Sequence, residues 1–156
     1  CVAYRDRVGW VGGEARGVKG GANCVYVQFR GEQDHARIFM NYLLSRDAAV
    51  TLLPIEAVRT SWASPLEMFR DTLGHEQKVT AMIANLASIA AEDKDYASSN
   101  MLVWFIDEQV EEEASARDMI SACEAVEGNK FGLYMLDKEL AARTYTQAAP
   151  LGTAAE

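Results

Sequence analysis

The sequence predicts an all-α fold, a helical bundle with one long crossover connection and a short helix near the C-terminus. Three observations lead there. Apolar residues recur at helical spacing over three long stretches, and strand-like alternation competes only within 47–60. A break of about two residues, Asp93–Lys94, joins the second and third stretches, so those helices are expected to be antiparallel neighbours. Residues 47–63, between the first and second, reach ~55 Å when extended. That exceeds the ~37 Å length of the first helix, so the first two helices are expected to lie parallel.

Taken in order, residues 1–21 hold six of the eleven glycines: Gly9, Gly12, Gly13, Gly17, Gly20 and Gly21. Each costs a helix about 1 kcal/mol relative to alanine, and the segment contains no Leu, Ile, Ser, Thr, Met or Phe. It reads as an atypical glycine-rich N-terminal segment ahead of a domain over 22–145. The first helix runs from about Ala22 to Arg46, with Val25, Phe29, Ala36, Phe39 and Leu43 on one face. The second opens with Ser64-Pro65-Leu66-Glu67: a serine N-cap, proline at the first helical position, and glutamate three residues after the cap. It continues to about Glu92, with Phe69, Leu73, Ile83 and Ala87 inward and Met68 and Met82 as packing residues. The third spans about Asp95 to Glu127 and stops at Gly128-Asn129. The fourth, "FGLYMLDKELAAR", is short, and residues 146–156, "TQAAPLGTAAE", read as a flexible tail.

Composition bounds the function. A chain of 156 residues with 49% hydrophobic content supports one domain with a sizeable core. A net charge of −8 and a pI near 4.8 argue against a nucleic-acid or acidic-membrane partner and suit a protein that handles cations. No apolar run of about 18 residues and no signal-peptide pattern occur, so a cytoplasmic location is expected. Cys1, Cys24 and Cys123 lack CxxC spacing and read as packed thiols in a reducing compartment; Cys123 falls on a core face.

One stretch contradicts simple amphipathic patterning. In "WFIDEQVEEEASARDM", positions seven apart lie nearly on one line. Phe105, Glu112 and Met119 form such a line, and Met101 and Glu108 the next. Two carboxylates thus interrupt a face that should be apolar. Glu113 faces outward, Glu111 is marginal, and Gln109 lies on the inner edge. The same interruption recurs in the first helix, where Glu32 falls between Val25 and Phe39 with His35 pointing the same way. It recurs again in the second, where Glu76 falls between Phe69 and Ile83. His75 points away from that face.

The heights agree too. Glu76 lies 17 residues before Asp93 and Glu112 lies 17 after Asp95, which puts both ~25 Å from the turn of an antiparallel pair. Glu32 and Glu76 sit at similar depths in helices expected to be parallel. Gathering several carboxylates costs several kcal/mol per ion unless countercharge is supplied, and no Arg or Lys lies on these inner faces. A pair of divalent metal ions would neutralise them, and carboxylate with imidazole suits iron. Glu32, His35, Glu76 and Glu112 are therefore the candidate metal-binding residues, with Gln109 on the inner edge in reach of a ligand or water; the resemblance given next implies that the same four are catalytic.

These residues carry a family resemblance. "GEQDHARIFMNYLLSR", "TSWASPLEMFRDTLGHEQKV", "AAEDKDYASSNMLVWFIDEQVEEEA" and "GLYMLDKELAAR" occur in the order and spacing of the bacterial non-haem ferritins, and the likeness covers about residues 22–143. The resemblance implies a ferritin-like bundle assembling as a homo-oligomeric shell of 24 subunits, which oxidises Fe(II) with O₂ or peroxide and stores ferric mineral. Glu32 resembles the acid that bridges both irons, and His35 the imidazole ligand of the first. Glu76 and Glu112 resemble ligands of the second iron, with Gln109 alongside, and Glu108 and Glu111 resemble acids of an accessory third-iron site. Haem is not expected: Gln33 stands where the related bacterioferritins have a methionine ligand, and Gln109-x-x-Glu112 replaces their second Glu-x-x-His.

The sequence also departs from the pattern. The first-helix glutamate would fall before residue 1, Asp6 stands where a tyrosine is expected, and Gly31 replaces an accessory acid. Residues 1–21 are expected to be a truncated, out-of-frame first helix, with loss of one ligand to the first iron. Two readings compete with ferroxidase: a storage or structural subunit with an impaired centre, and a metal-free helical interaction module.

Overall fold

The computed structural model describes residues 19–54, 59 and 62–152, which are helical wherever they are regular. The glycine-rich segment up to residue 18, with Asp6 and the expected first-helix departure, lies outside the described residues. Two compact units emerge, one of Cys1–Ser61 with Lys130–Glu156 and the other of Trp62–Asn129. Among the described residues no helix is long and apolar enough to cross a membrane.

The Trp62–Asn129 unit is a helical hairpin. α2, Pro65–Glu92, starts as its sequence dictates: the Ser64 side chain accepts from the Glu67 amide at 3.1 Å, and the Glu67 carboxylate accepts from the Ala63 amide at 2.6 Å. The turn to α3, Tyr96–Ala125, puts Lys94 at φ 55°, with Lys94 N–H donating to Ala91 and Asp95 N–H to Ala90. That arrangement satisfies the last carbonyls of α2 with a left-handed residue that is not glycine. Asp95 then caps α3 by accepting from the Ser98 amide at 3.2 Å. α3 ends slightly before the expected stop, and Gly128 takes the left-handed conformation, φ 72°.

Bonds between the two helices run in opposite senses along them. Arg70 pairs with Glu124 at 2.7 Å, and Thr80 bonds Glu113 at 2.7 Å. The helices are therefore antiparallel, as the two-residue break predicts. Phe69, Ile83, Leu102, Phe105, Ala116 and Cys123 are buried, as are Met68 and Trp62, whose indole donates to Asp71 at 3.0 Å. Met82, expected to pack, is 57% exposed.

In the other unit, α1, Lys19–Ser45, begins three residues earlier than the sequence suggests and includes Gly20 and Gly21. Their amides donate to one Asp137 carboxylate oxygen at 2.7 and 3.2 Å, so a side chain from α4, Lys130–Ala141, supplies the anion a helix N-terminus favours. The favour is returned: the Asn23 amide group donates to the Leu140 and Arg143 carbonyls at the end of α4, at 3.1 and 2.8 Å. This interlock offsets the poor helix propensity of the two glycines. It also needs one of them, because a Cβ on Gly20 would lie 1.7 Å from the Asp137 carbonyl oxygen.

The buried arc of α1 holds Cys24, Val25, Asp34, His35 and Ile38. Phe29 and Phe39 are half-buried, but Ala36 and Leu43, expected on the core face, are exposed. The arc is rotated toward Asp34, whose partners come from the C-terminal region. The tail expected to be loose contains a helical turn, α5, Ala149–Gly152, and the preceding Ala148 amide donates to Asp34 at 3.0 Å.

Candidate metal centre

The α1 contribution is a pair. Glu32 and His35 are three residues apart, hence stacked on one side of the helix. The imidazole Nδ1 lies 3.7 Å from a Glu32 carboxylate oxygen, and both side chains are nearly buried. Carboxylate and imidazole thus stand side by side on one turn of α1, where both can offer a donor atom to one cation.

In the hairpin, Glu76 is 1% and Gln109 3% exposed, the two most enclosed polar side chains there. The Gln109 amide nitrogen donates to the Glu76 backbone carbonyl at 3.2 Å and to the Thr80 hydroxyl at 3.3 Å. This bond fixes the height of α3 against α2 at the level of Glu76. Thr80 reaches both the Glu76 carbonyl, at 3.0 Å, and the Glu113 carboxylate, at 2.7 Å. It has one proton to give, and the bond to the anion is the stronger use of it. Glu113 also accepts from Arg117, one turn on. Glu113, read from sequence as facing outward, is thus engaged with α2, and its charge is already neutralised.

Glu108 and Glu112 are half-buried, one turn apart on α3, and each presents a carboxylate oxygen within 4.8 Å of the other's. Two anions so close repel unless a proton or cation lies between them. Glu111 is exposed, and His75 is half-buried. The structure therefore draws Glu32 to His35, Gln109 to the backbone of Glu76, and Glu108 to Glu112, and leaves Glu111 in solvent. Sequence reading missed Thr80, although it lies one turn beyond Glu76 on the same face, a spacing that could have found it. It also missed buried Asp34, whose neighbours in sequence give no hint of partners more than a hundred residues away.

Residues 13–126 match the Ferritin family, a ferritin-like domain. The chain belongs to the ferritin family. It is 38% identical over 129 residues to the bacterial non-haem ferritin of Staphylococcus aureus (strain USA300), covering 83% of this chain and 78% of that one. The Staphylococcus saprophyticus non-haem ferritin is likewise 38% identical, over 130 residues. Among solved structures, an open-pore ferritin from the hyperthermophilic archaeon Archaeoglobus fulgidus superposes with a TM-score of 0.87 and 35% identity, over 92% of this chain and 87% of that one. A form of the same archaeal ferritin engineered to be closed gives a TM-score of 0.88 at 34% identity, over 93% and 87%. The all-α ferritin fold expected from the sequence is thus the fold of this chain, and its ferritin-like match spans α1, α2 and α3, the three helices that carry the candidate ligands.

Proposed function

We propose that this ferritin binds Fe(II) as a substrate at a two-iron carboxylate centre, oxidises it with O₂ or peroxide, and stores the ferric product as a mineral inside a homo-oligomeric shell, of 24 subunits by family likeness. Glu32 would bridge the two irons and His35 would bind the first. Glu76 and Glu112 would bind the second, Gln109 would stand beside it, and Glu108 with Glu111 would form an accessory site. The observation that carries this reading is the enclosure of Glu76, 1% exposed, at the level where Gln109 pins α3 to α2. A carboxylate enclosed at that depth is an oxygen donor placed to take a cation out of water.

The donor set fits the chemistry. Carboxylate oxygens with one imidazole suit iron, and anionic oxygen donors hold Fe(III) more tightly than Fe(II), which favours electron loss at the centre. Two Fe(II) ions side by side supply the two electrons that, with two protons, reduce O₂ to hydrogen peroxide, leaving two Fe(III). The residues' part is to bind, orient and exclude water from the pair. Glu32 and His35 present their donors from one turn of α1, and the Gln109 bond keeps α3 from sliding along α2.

The test is anaerobic Fe(II) loading followed by rapid mixing with O₂. Ferroxidase activity predicts a diferric absorbance at two irons per subunit, lost in Glu76→Ala. Slow, substoichiometric oxidation indicates a storage subunit with an impaired centre. Absence of iron binding indicates a metal-free helical module and refutes the proposal.

A further inference from the structure

Asp34 is among the most enclosed charged groups in the protein, 3% exposed, and the metal chemistry proposed above gives it no task. It sits between Glu32 and His35 in the same turn of α1, projecting about 100° around the helix from His35. One of its carboxylate oxygens accepts two bonds from the C-terminal region: the Tyr145 hydroxyl at 2.5 Å and the Ala148 amide at 3.0 Å. Arg37 lies 3.7 Å from the other oxygen. The Arg30 guanidinium stacks 4.3 Å over the Tyr145 ring, and Arg143 donates to the Cys24 thiol at 3.1 Å. These contacts follow α1 from Cys24 to Asp34, ten residues and so ~15 Å of helix, and α5 also packs against α1. The tail is therefore a strap laid along the site helix, with its strongest anchor in the turn that bears Glu32 and His35.

We propose that Asp34 is a positioning residue for the Glu32–His35 pair and that it acts through this strap. A buried carboxylate held by two donors resists rotation of its turn in either direction, and metal ligands have to be held to within about 10–20° of their working orientation. Removing the Tyr145 hydroxyl leaves the carboxylate enclosed with fewer donors. With the Ala148 amide and the more distant Arg37 left to it, the carboxylate replaces the lost bond by rolling its turn toward solvent, which carries Glu32 and His35 with it. The inference rests on the reading of those two residues as metal ligands.

The experiment uses full-length protein and Co(II), whose visible absorption reports ligand number and geometry. Wild type is compared with Tyr145→Phe, with Ser64→Ala as a control that costs stability by removing the α2 cap, and with His35→Ala. Tyr145→Phe is expected to weaken Co(II) binding about tenfold, the low end for changes just outside a metal's ligands, and to alter the band shape. Ser64→Ala is expected to alter neither. Wild-type affinity and spectrum in Tyr145→Phe overturn the inference while leaving the metal reading intact. Failure of the wild type to give a Co(II) spectrum that His35→Ala abolishes overturns both. Ala148→Pro removes the other donor to Asp34 and decides the matter in the same way if Tyr145→Phe does not fold.

Discussion

Gly20→Ala and Gly31→Ala make the same chemical change on the same helix, and the structure assigns them opposite signs. At Gly31 a new Cβ meets nothing within 4 Å, so only helix propensity acts and stability should rise by up to about 1 kcal/mol. At Gly20 the Cβ would sit 1.7 Å from the Asp137 carbonyl oxygen, 2.7 Å from its carbonyl carbon and 2.8 Å from the Ala141 nitrogen. All three are backbone atoms, so no side chain can swing aside and α4 itself has to retreat. Retreat stretches the two amide bonds to Asp137 and the Asn23 bonds that close α4. Hydrogen bonds to a charged group contribute about 1.5–3 kcal/mol each. Losing one and weakening the others, against about 1 kcal/mol of propensity regained, leaves a net loss of about 2–3 kcal/mol. Urea titration followed by circular dichroism measures both variants, and hydrogen exchange should locate the Gly20→Ala loss at the start of α1 and in α4. Equal or greater stability in Gly20→Ala than in wild type would refute the interlock of these two helices.

Two further outcomes follow from particular contacts. The Tyr145 phenol is held above its ordinary value of 10, first by the hydrogen bond to Asp34, then by burial and by the Asp34 charge. Its folded-state pKa exceeds the unfolded one, so the strap's contribution is fully present below pH 10 and is lost as pH rises through the folded value. Absorbance at 295 nm should show one tyrosine titrating late, and Asp34→Asn should bring it back toward 10. Thr80→Val keeps the shape of the side chain but removes the hydroxyl shared by Gln109 and Glu113. It should cost about 1–3 kcal/mol in chemical denaturation, and iron oxidation should slow as α3 loses its register on α2.

The hairpin was largely legible in the sequence because its determinants are local. Ser64, Pro65 and Glu67 fix the start of α2, Asp93–Lys94 the reversal, and Asp95 the start of α3; each acts within four residues of itself. The inward placement of Glu76 follows from period alone, since it falls between Phe69 and Ile83, whereas Gln109, read on the inner edge of α3, is more enclosed than Glu108 and Glu112, read on its inner face. What escaped depends on partners distant in sequence. Asp34 is enclosed because residues 145–148 come to it, and Gly20 and Gly21 are helical because Asp137 supplies their cap. Glu113 reads as solvated from sequence, but Thr80 and Arg117 share its carboxylate. Ala36 has too little apolar surface for periodicity to place it, and Met82 shows that a flexible apolar side chain does not by itself mark a core position.

The most direct measurement is anomalous scattering at the iron absorption edge from crystals grown and soaked with Fe(II) without oxygen. Two peaks a few ångströms apart, coordinated by Glu32, His35, Glu76 and Glu112, are the predicted result. Iron bound only elsewhere, or these side chains turned to solvent with no metal between them, would contradict the account.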